Sequence, residues 1–378
     1  VTPWQIGDGS GNPVEATGDE QVELFRSVKA GNGRVEIALT DGGTLSAAQV
    51  NDLSVAGTAN CYVVSAPGTY VFNARVRGNG AGEGVGFEPA IEMADGMTAD
   101  WLWTDSEGLV SGVALDTTSG DIFLTVGEGR GNALVALMQD GKVVWSWHVW
   151  VTDAPQTMTY GNGTVFMDRN LGAAGTTAGG TDAYGMYYQW GRKDPFYGGE
   201  KTETSANAFL EAKNGTVVNP AYPALDWAFS KSATTTDGAA ANPMTFYNDK
   251  VGTGYNWLAS PNATLWGEAK TLNDPCPPGY RVPGTGAWED LISGRQYIDG
   301  VSVWDGTNYG MTLPTGDRRP GIRRRAIAIT VRAPSWGCAA RPAVRALTGR
   351  RKPLRSNPIT SSSAANCRAA VRSIMNWT

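Results

Sequence analysis

Histidine is almost missing from this chain: its 378 residues contain one, His148. That scarcity counts against any catalytic triad that needs a free imidazole in a cleft. With only four cysteines, Cys61, Cys276, Cys338 and Cys367, and no CxxC pair among them, a zinc site of the usual Cys/His kind is also disfavoured. No apolar run approaches the roughly 20 residues of a membrane span, so no transmembrane segment is expected. No signal peptide is evident, and Val1 reads as a mature start; a secretion or lipoprotein signal is expected outside this chain. Acidic residues are missing from one stretch alone. Residues 318–378 hold fourteen of the 31 Lys/Arg and none of the 36 Asp/Glu. A body of net charge −19 is thus joined to a tail of +14, giving −5 for the whole.

Glycine (49) and tryptophan (14) are plentiful, and charged residues make up only 18%. Short strands joined by Gly/Asn/Asp turns and anchored by indoles fit that composition, as in extracellular β-rich proteins. The length suits two or three domains. Residues 1–50 read as a linker or the end of a preceding β module, with one strand at 34–40. Residues 51–154 carry a run of strand patterns. Cys61 to Phe72 reads as two strands about Ala66-Pro67-Gly68, a pair suited to a tight hairpin turn. Further strands are expected at 109–115, 121–126 and 132–138. The last meets Asp140-Gly141, a strong hairpin signal. In 143–150 the alternation puts Val143, Trp145, Trp147 and Val149 on one face and Val144, Ser146, His148 and Trp150 on the other. This spacing predicts a seven- or eight-strand sandwich. His148 reads as a hydrogen-bonded or near-surface strand residue rather than a ligand or base, since no acidic or Cys partner lies at ligand spacing.

After Asp153-Ala154-Pro155 the texture changes. Phe166 to Gly172 reads as a strand entering a turn, and Tyr184 to Trp190 as a short helix with an aromatic face. Residues 201–256 read as a long polar loop with scattered aromatics, Tyr222, Trp227, Phe229, Phe246 and Tyr247. Residues 287–292 suit a helix capped by Thr285, with Trp288 on its apolar stripe. Asp194 reads as a partner of Arg192 or Lys193, and Trp190 and Trp288 as core residues.

Two groups of motifs resemble known families. Thr58-Ala-Asn-Cys-Tyr-Val-Val-Ser-Ala-Pro-Gly-Thr-Tyr70, around Cys61, and Val144-Trp-Ser-Trp-His-Val-Trp-Val-Thr-Asp153, with Trp145 and Trp147, resemble the sandwich module of fimbrillin-like surface proteins of gut Bacteroidetes. Met167-Asp-Arg-Asn-Leu-Gly-Ala173 (with Asp168, Arg169 and Asn170), Tyr187-Tyr-Gln-Trp-Gly-Arg-Lys-Asp-Pro-Phe196 (with Trp190 and Asp194) and Asp274-Pro-Cys-Pro-Pro-Gly-Tyr-Arg-Val-Pro283 (with Cys276) resemble the Fibrobacter succinogenes major paralogous domain. Arg281-Val-Pro283 with Trp288-Glu289 is also similar to a motif of C-type lectin-like and sulfatase-modifying-factor domains.

The resemblance implies a mainly β plus α+β chain. An Ig-like β-sandwich (51–154) precedes a C-type lectin-like domain (155–317), and an anomalous basic tail (318–378) follows. It further implies a secreted or surface-anchored, extracellular location. The pattern departs after Gly316, where the family has a closing strand whose Cys would pair with Cys276. Three readings of the tail stay open: a functional basic arm, a disordered tail, or a segment translated out of frame.

The expected function is a non-enzymatic surface or pilus-associated binding protein, an adhesin. Its partners would be glycans or surface proteins, and also other pilus subunits, but not nucleic acid. Tyr222, Trp227, Phe229 and Tyr247 are the candidate ligand-binding residues, as aromatics that stack on a ligand or else fill the core. The alternative is a polymerising fimbrial structural subunit; a carbohydrate-active or sulfatase-modifying-like enzyme ranks below both. No cofactor or metal is expected, with calcium open for lectin-like loops.

Overall fold

The computed structural model describes residues 6–7, 13–14, 33–40, 44–80, 88–159, 163–177, 181–197, 208–249, 251–253, 256–283, 297–298, 301–302, 304–305, 310–311 and 374–377. These are mostly β-sheet with few helices. None of the described helices is long and apolar enough to cross a membrane.

Near the start, β1 (Ile6–Gly7) and β2 (Pro13–Val14) pair as a ribbon, and β3 (Gly33–Thr40) and β4 (Thr44–Asp52) form a hairpin. Seven strands follow: β5 (Cys61–Val64), β6 (Gly68–Asn73), β7 (Met97–Thr104), β8 (Val110–Asp116), β9 (Asp121–Val126), β10 (Gly131–Gln139) and β11 (Lys142–Val151). Next come β12 (Thr157–Thr159), β13 (Val165–Asn170), α1 (Ala208–Gly215), β14 (Val217–Val218), β15 (Ala228–Ser230), α2 (Thr236–Ala241), β16 (Thr245–Tyr247) and β17 (Tyr280–Arg281). Two small ribbons, β18 (Tyr297–Ile298) with β19 (Val301–Ser302) and β20 (Trp304–Asp305) with β21 (Gly310–Met311), precede β22 (Ile374–Trp377).

Two five-stranded sheets organise the first half, ordered β3-β4-β6-β9-β8 and β14-β7-β10-β11-β5. Their facing sides share one apolar layer, which includes Tyr62, Phe72, Ile122, Val135 and Trp147. Phe72 links the sheets, with its ring centroid 5.0 Å from Tyr62 and 5.2 Å from Trp147. The other side of the second sheet is buried too. Leu102, Trp103, Leu134, Ala136 and Trp150 pack there against Met167, Tyr188, Phe196, Trp227 and Phe246 from later in the chain. β10 and β11 are therefore covered on both faces. β14 comes from the later half yet adds to the edge of β7, crossing the expected boundary at 154/155.

Local chemistry explains where the structure follows the expected pattern and where it departs. Asp140 and Gly141 both take positive φ (51° and 74°), the geometry that closes the β10–β11 hairpin with matching twist. The strict alternation breaks at Val143–Val144, where β11 bulges against Leu137 and Met138. Val143 therefore turns to the layer of Trp103 rather than joining Trp145 and Trp147. Ala66-Pro67-Gly68 is not a hairpin turn. β5 pairs with β11 and β6 with β9, so this corner passes the chain from one sheet to the other. The Tyr70 hydroxyl donates to Ala66 O (2.6 Å) and ties the corner down. The helix expected at 184–190 does not form. Gly185 holds φ +69° at a point where a Cβ would meet Leu171 O at 2.5 Å. Tyr187 instead exchanges two main-chain hydrogen bonds with Phe196, both 2.8 Å.

β12, β13, β22 and β17 form a four-stranded sheet in that order. β22 is the one part of 318–378 among the described residues. The rest of that tail, Cys338 and Cys367 included, lies outside them, as do Trp288 and the helix expected at 287–292.

Candidate functional site

The polar residues of the shared layer hang from β10 and β11. His148 Nε2 lies 2.8 Å from Asn132 Oδ1, and Tyr188 Oη lies 3.3 Å from Nδ1. The Asn132 amide nitrogen is already committed, donating to Asp105 Oδ2 (2.7 Å) and Gly172 O (3.0 Å). Its oxygen must therefore accept from His148 Nε2–H, and the Tyr188 hydroxyl donates to Nδ1. The ring is neutral: burial holds its pKa down to about 3. Burial pushes Asp105 the other way, to about 7, against the hydrogen bonds from Asn132.

These shifts oppose each other. The unfolded chain takes up a proton on histidine below about pH 6.5 while the folded ring refuses it, so His148 removes stability as pH falls from there toward about 3. Folded Asp105 keeps its proton up to about pH 7 while the unfolded carboxyl loses it near 3.8, so Asp105 removes stability as pH rises through that window. Asp105→Asn is expected to abolish the second slope. Urea unfolding of the variant should show stability rising from about pH 4 to about pH 6.5 and exceeding wild type above about pH 7. A variant that tracks wild type at every pH would refute the assignment.

The segment Arg192-Lys193-Asp194 places three charges in the same layer, each at most 3% exposed. Lys193 Nζ donates to Asp194 Oδ1 (2.5 Å), Ser146 Oγ (2.6 Å) and Ser146 O (3.0 Å), and it lies 4.5 Å from the centre of the Trp145 ring. Ser146 Oγ in turn donates to Asp194 Oδ1 (2.8 Å). Arg192 donates to Thr245 O (2.7 Å), Asn242 O (2.9 Å) and Pro243 O (3.0 Å), capping the carbonyl end of α2, and it stacks on Phe196 and Tyr247. Its Nε faces Asp194 Oδ2 at 3.5 Å. Burial lowers the pKa of both cations, and the Asp194 carboxylate opposes that shift. Ser146, His148 and Asp194 thus share one face but do not form a nucleophile triad. Ser146 bonds Asp194 rather than the imidazole, and all three are 1% exposed, so no substrate reaches them.

The other motif residues hold loops. Arg169 forks onto Asp168 (2.8 and 3.1 Å) and donates to Thr152 Oγ1 (2.9 Å), while Asn170 Nδ2 donates to Ala183 O (3.0 Å). Asp274 accepts from Lys270 Nζ (3.0 Å), Cys276 N (2.9 Å) and Val282 N (2.8 Å). Asn60 Nδ2 reaches Leu272 O (2.7 Å) and Asp274 O (2.9 Å), and its Oδ1 accepts from Trp145 Nε1 (3.0 Å). Cys61 and Cys276 are buried thiols in this region, and burial pushes both up. Trp190 packs half-buried against Trp266, 5.9 Å between ring centres.

The four candidate ligand residues divide. Trp227 is core: its ring fills the space between Trp103 (5.5 Å) and Phe196 (5.7 Å), and its Nε1 donates to Thr216 Oγ1 (2.8 Å). Tyr247 is buried under the Arg192 guanidinium. Tyr222 and Phe229 are only partly buried and pack against the same layer. Burial, and then the nearby Asp100 carboxylate, raise the Tyr222 pKa, and Phe229 stacks on Phe246 at 6.3 Å and 8°. Asp226, between them in the chain, accepts from Lys213 Nζ (2.7 Å) and from the Trp227 amide (2.7 Å). Sequence reasoning missed Lys213, Asp226 and Asp100, because nothing in a polar loop marks which charges will meet. Among the described residues, no group of three or more His, Cys, Asp or Glu is placed to hold a metal ion. No protein-family model, curated protein or solved structure was found to match this chain.

Proposed function

We propose that this chain is a non-enzymatic, extracellular binding protein, an adhesin or pilus-associated subunit, in which an Ig-like β-sandwich carries a C-type lectin-like head. The observation that carries the reading is that Tyr222 and Phe229 pack against the apolar layer yet are each only partly buried. The backbone around them has little long helix or strand, yet buried charges and main-chain hydrogen bonds pin it to a sheet covered on both sides. Loops fixed on a rigid scaffold that leave aromatic rings half-exposed suit recognition. The test is a glycan array together with a pull-down on surface proteins, using the folded chain. Binding is expected, and Tyr222→Ala or Phe229→Ala should each weaken it about tenfold. A folded protein that binds nothing on either, or variants that bind like wild type, would sink the reading.

A second reading, a polymerising fimbrial subunit, draws on β3. That eight-residue strand is the terminal strand of its sheet, so its outer edge has no pairing partner among the described residues. An open edge of that length can accept a strand from another chain. The opposite edge, β8, is interrupted by a bulge between Ser111 and Ala114, which discourages pairing there. Concentration-dependent filaments in electron micrographs would favour this reading over a monomeric adhesin.

A further inference from the structure

We propose that residues 270–282 form a cation cage of the ammonium and potassium class, whose occupant in this chain is the chain's own Lys270 ammonium. Lys270 Nζ donates to Asp274 Oδ1 (3.0 Å), Cys276 O (2.8 Å) and Tyr280 O (2.8 Å), with Pro277 O at 3.4 Å. An ammonium has three hydrogens to give, and the three shorter contacts take all of them. The Lys270 side chain is 15% exposed and that of Asp274 is 0% exposed. A surface ion pair shares its charge mainly with water and one partner. Here one carboxylate and three main-chain carbonyls surround the nitrogen instead.

The fold fixes these oxygens by contacts that do not involve the lysine. Asp274 Oδ1 also accepts from the Cys276 amide (2.9 Å), and Oδ2 accepts from the Val282 amide (2.8 Å). The Tyr280 amide donates to Pro277 O (3.1 Å), and Gly279 between them takes φ +79°. Pro278 presets the first corner of that turn and Gly279 accepts the positive φ of the second. Size decides the class of ion. Contacts of 2.8–3.0 Å suit an ammonium, whereas calcium draws its oxygens in to roughly 2.3–2.6 Å, which this hydrogen-bonded turn would have to contract to supply. The cage also has a place in the fold. Asn60 Nδ2 donates to Leu272 O (2.7 Å) and Asp274 O (2.9 Å), and Asn79 Nδ2 donates to Lys270 O (2.7 Å). The caged cation therefore ties the 276–280 turn, just before β17, to a segment gripped from the first half of the chain.

Thermal unfolding of the full chain tests this with two variants. Lys270→Ala empties the cage, and Lys270→Met fills the same room with an uncharged stem. Both are expected to lower the midpoint by about 5 °C. Ammonium or potassium chloride should restore most of that loss in Lys270→Ala, with a rise that grows with the logarithm of concentration. The same salts should act on Lys270→Met and on wild type no differently from tetramethylammonium chloride, a cation too large for the cage, at equal ionic strength. Equal responses of the two variants, or rescue of Lys270→Ala by calcium chloride alone, would overturn the proposal. Nitrogen-15 spectra of the wild-type lysine side chains give a second reading that needs no variant to fold. Lys270 is expected to show a slowly exchanging ammonium signal coupled through its hydrogen bonds to the carbonyl carbons of Cys276 and Tyr280. An ammonium that exchanges as fast as that of Lys213, whose side chain is 52% exposed, would also overturn it.

Discussion

Asp194→Ala is expected to lower the free energy of unfolding by about 3–5 kcal/mol. Among the described residues, the carboxylate is the one anion paired with two buried cations, Lys193 at 2.5 Å and Arg192 at 3.5 Å. Removing it leaves two positive charges in an apolar layer, with only carbonyls and Ser146 to solvate them. Lys193→Met is expected to cost clearly less, because it leaves Arg192 and Asp194 as a neutral pair and puts an apolar chain beside Trp145. Urea unfolding of the two variants reads this asymmetry directly. Equal losses, or a larger loss for Lys193→Met, would show that the hydrogen bonds of Lys193, and not charge balance, set the energetics here.

The second large effect is expected at Trp103. Trp103→Ala should cost about 3–5 kcal/mol. The indole is fully buried on the outer face of β7 and packs against Trp227. Its N–H makes no hydrogen bond among the described residues, so the loss is packing and cavity alone. Trp103 belongs to the first half of the chain and Trp227 to the second. Near-ultraviolet signals from both halves should therefore melt together at the lowered midpoint. A variant that loosens residues 208–258 while leaving the two-sheet core at its wild-type midpoint would separate the halves energetically.

Much of the β framework was legible in the sequence. Asp121–Val126 has its expected bounds, and Asp140-Gly141 closes the expected hairpin, because turn residues and period-two alternation report local backbone geometry. β7 escaped notice, though it is central. Its consecutive Leu102 and Trp103 face the same side through a bulge opposite Leu134–Val135, which breaks the alternation that would reveal it. The corner at Ala66-Pro67-Gly68 looked like a hairpin because residue chemistry gives the turn but not the partners of the strands it joins. Tyr184–Trp190 has a helical aromatic spacing, yet the left-handed Gly185 and the pairing of Tyr187 with Phe196 override it. Of the candidate site, aromatic positions were legible and their exposure was not. Whether Trp227 faces solvent or Trp103 depends on a contact across 124 residues, which no local pattern records.

The claim on which the rest depends is that the sheet β14-β7-β10-β11-β5 is a layer shared by both halves, so that they unfold as one unit. Native-state hydrogen exchange across a series of low denaturant concentrations tests it most directly. Val135 and Trp147 stand opposite each other in the β10–β11 ladder with side chains between the two sheets, while the amides of Tyr187 and Phe196 are bonded within the later half and that of Asn219 bonds Leu102 O across the halves. All are predicted to converge on one opening free energy with one denaturant dependence. If Tyr187, Phe196 and Asn219 instead open in a separate, lower-energy step while Val135 and Trp147 stay protected, the halves are independent and the shared layer does not bind them together.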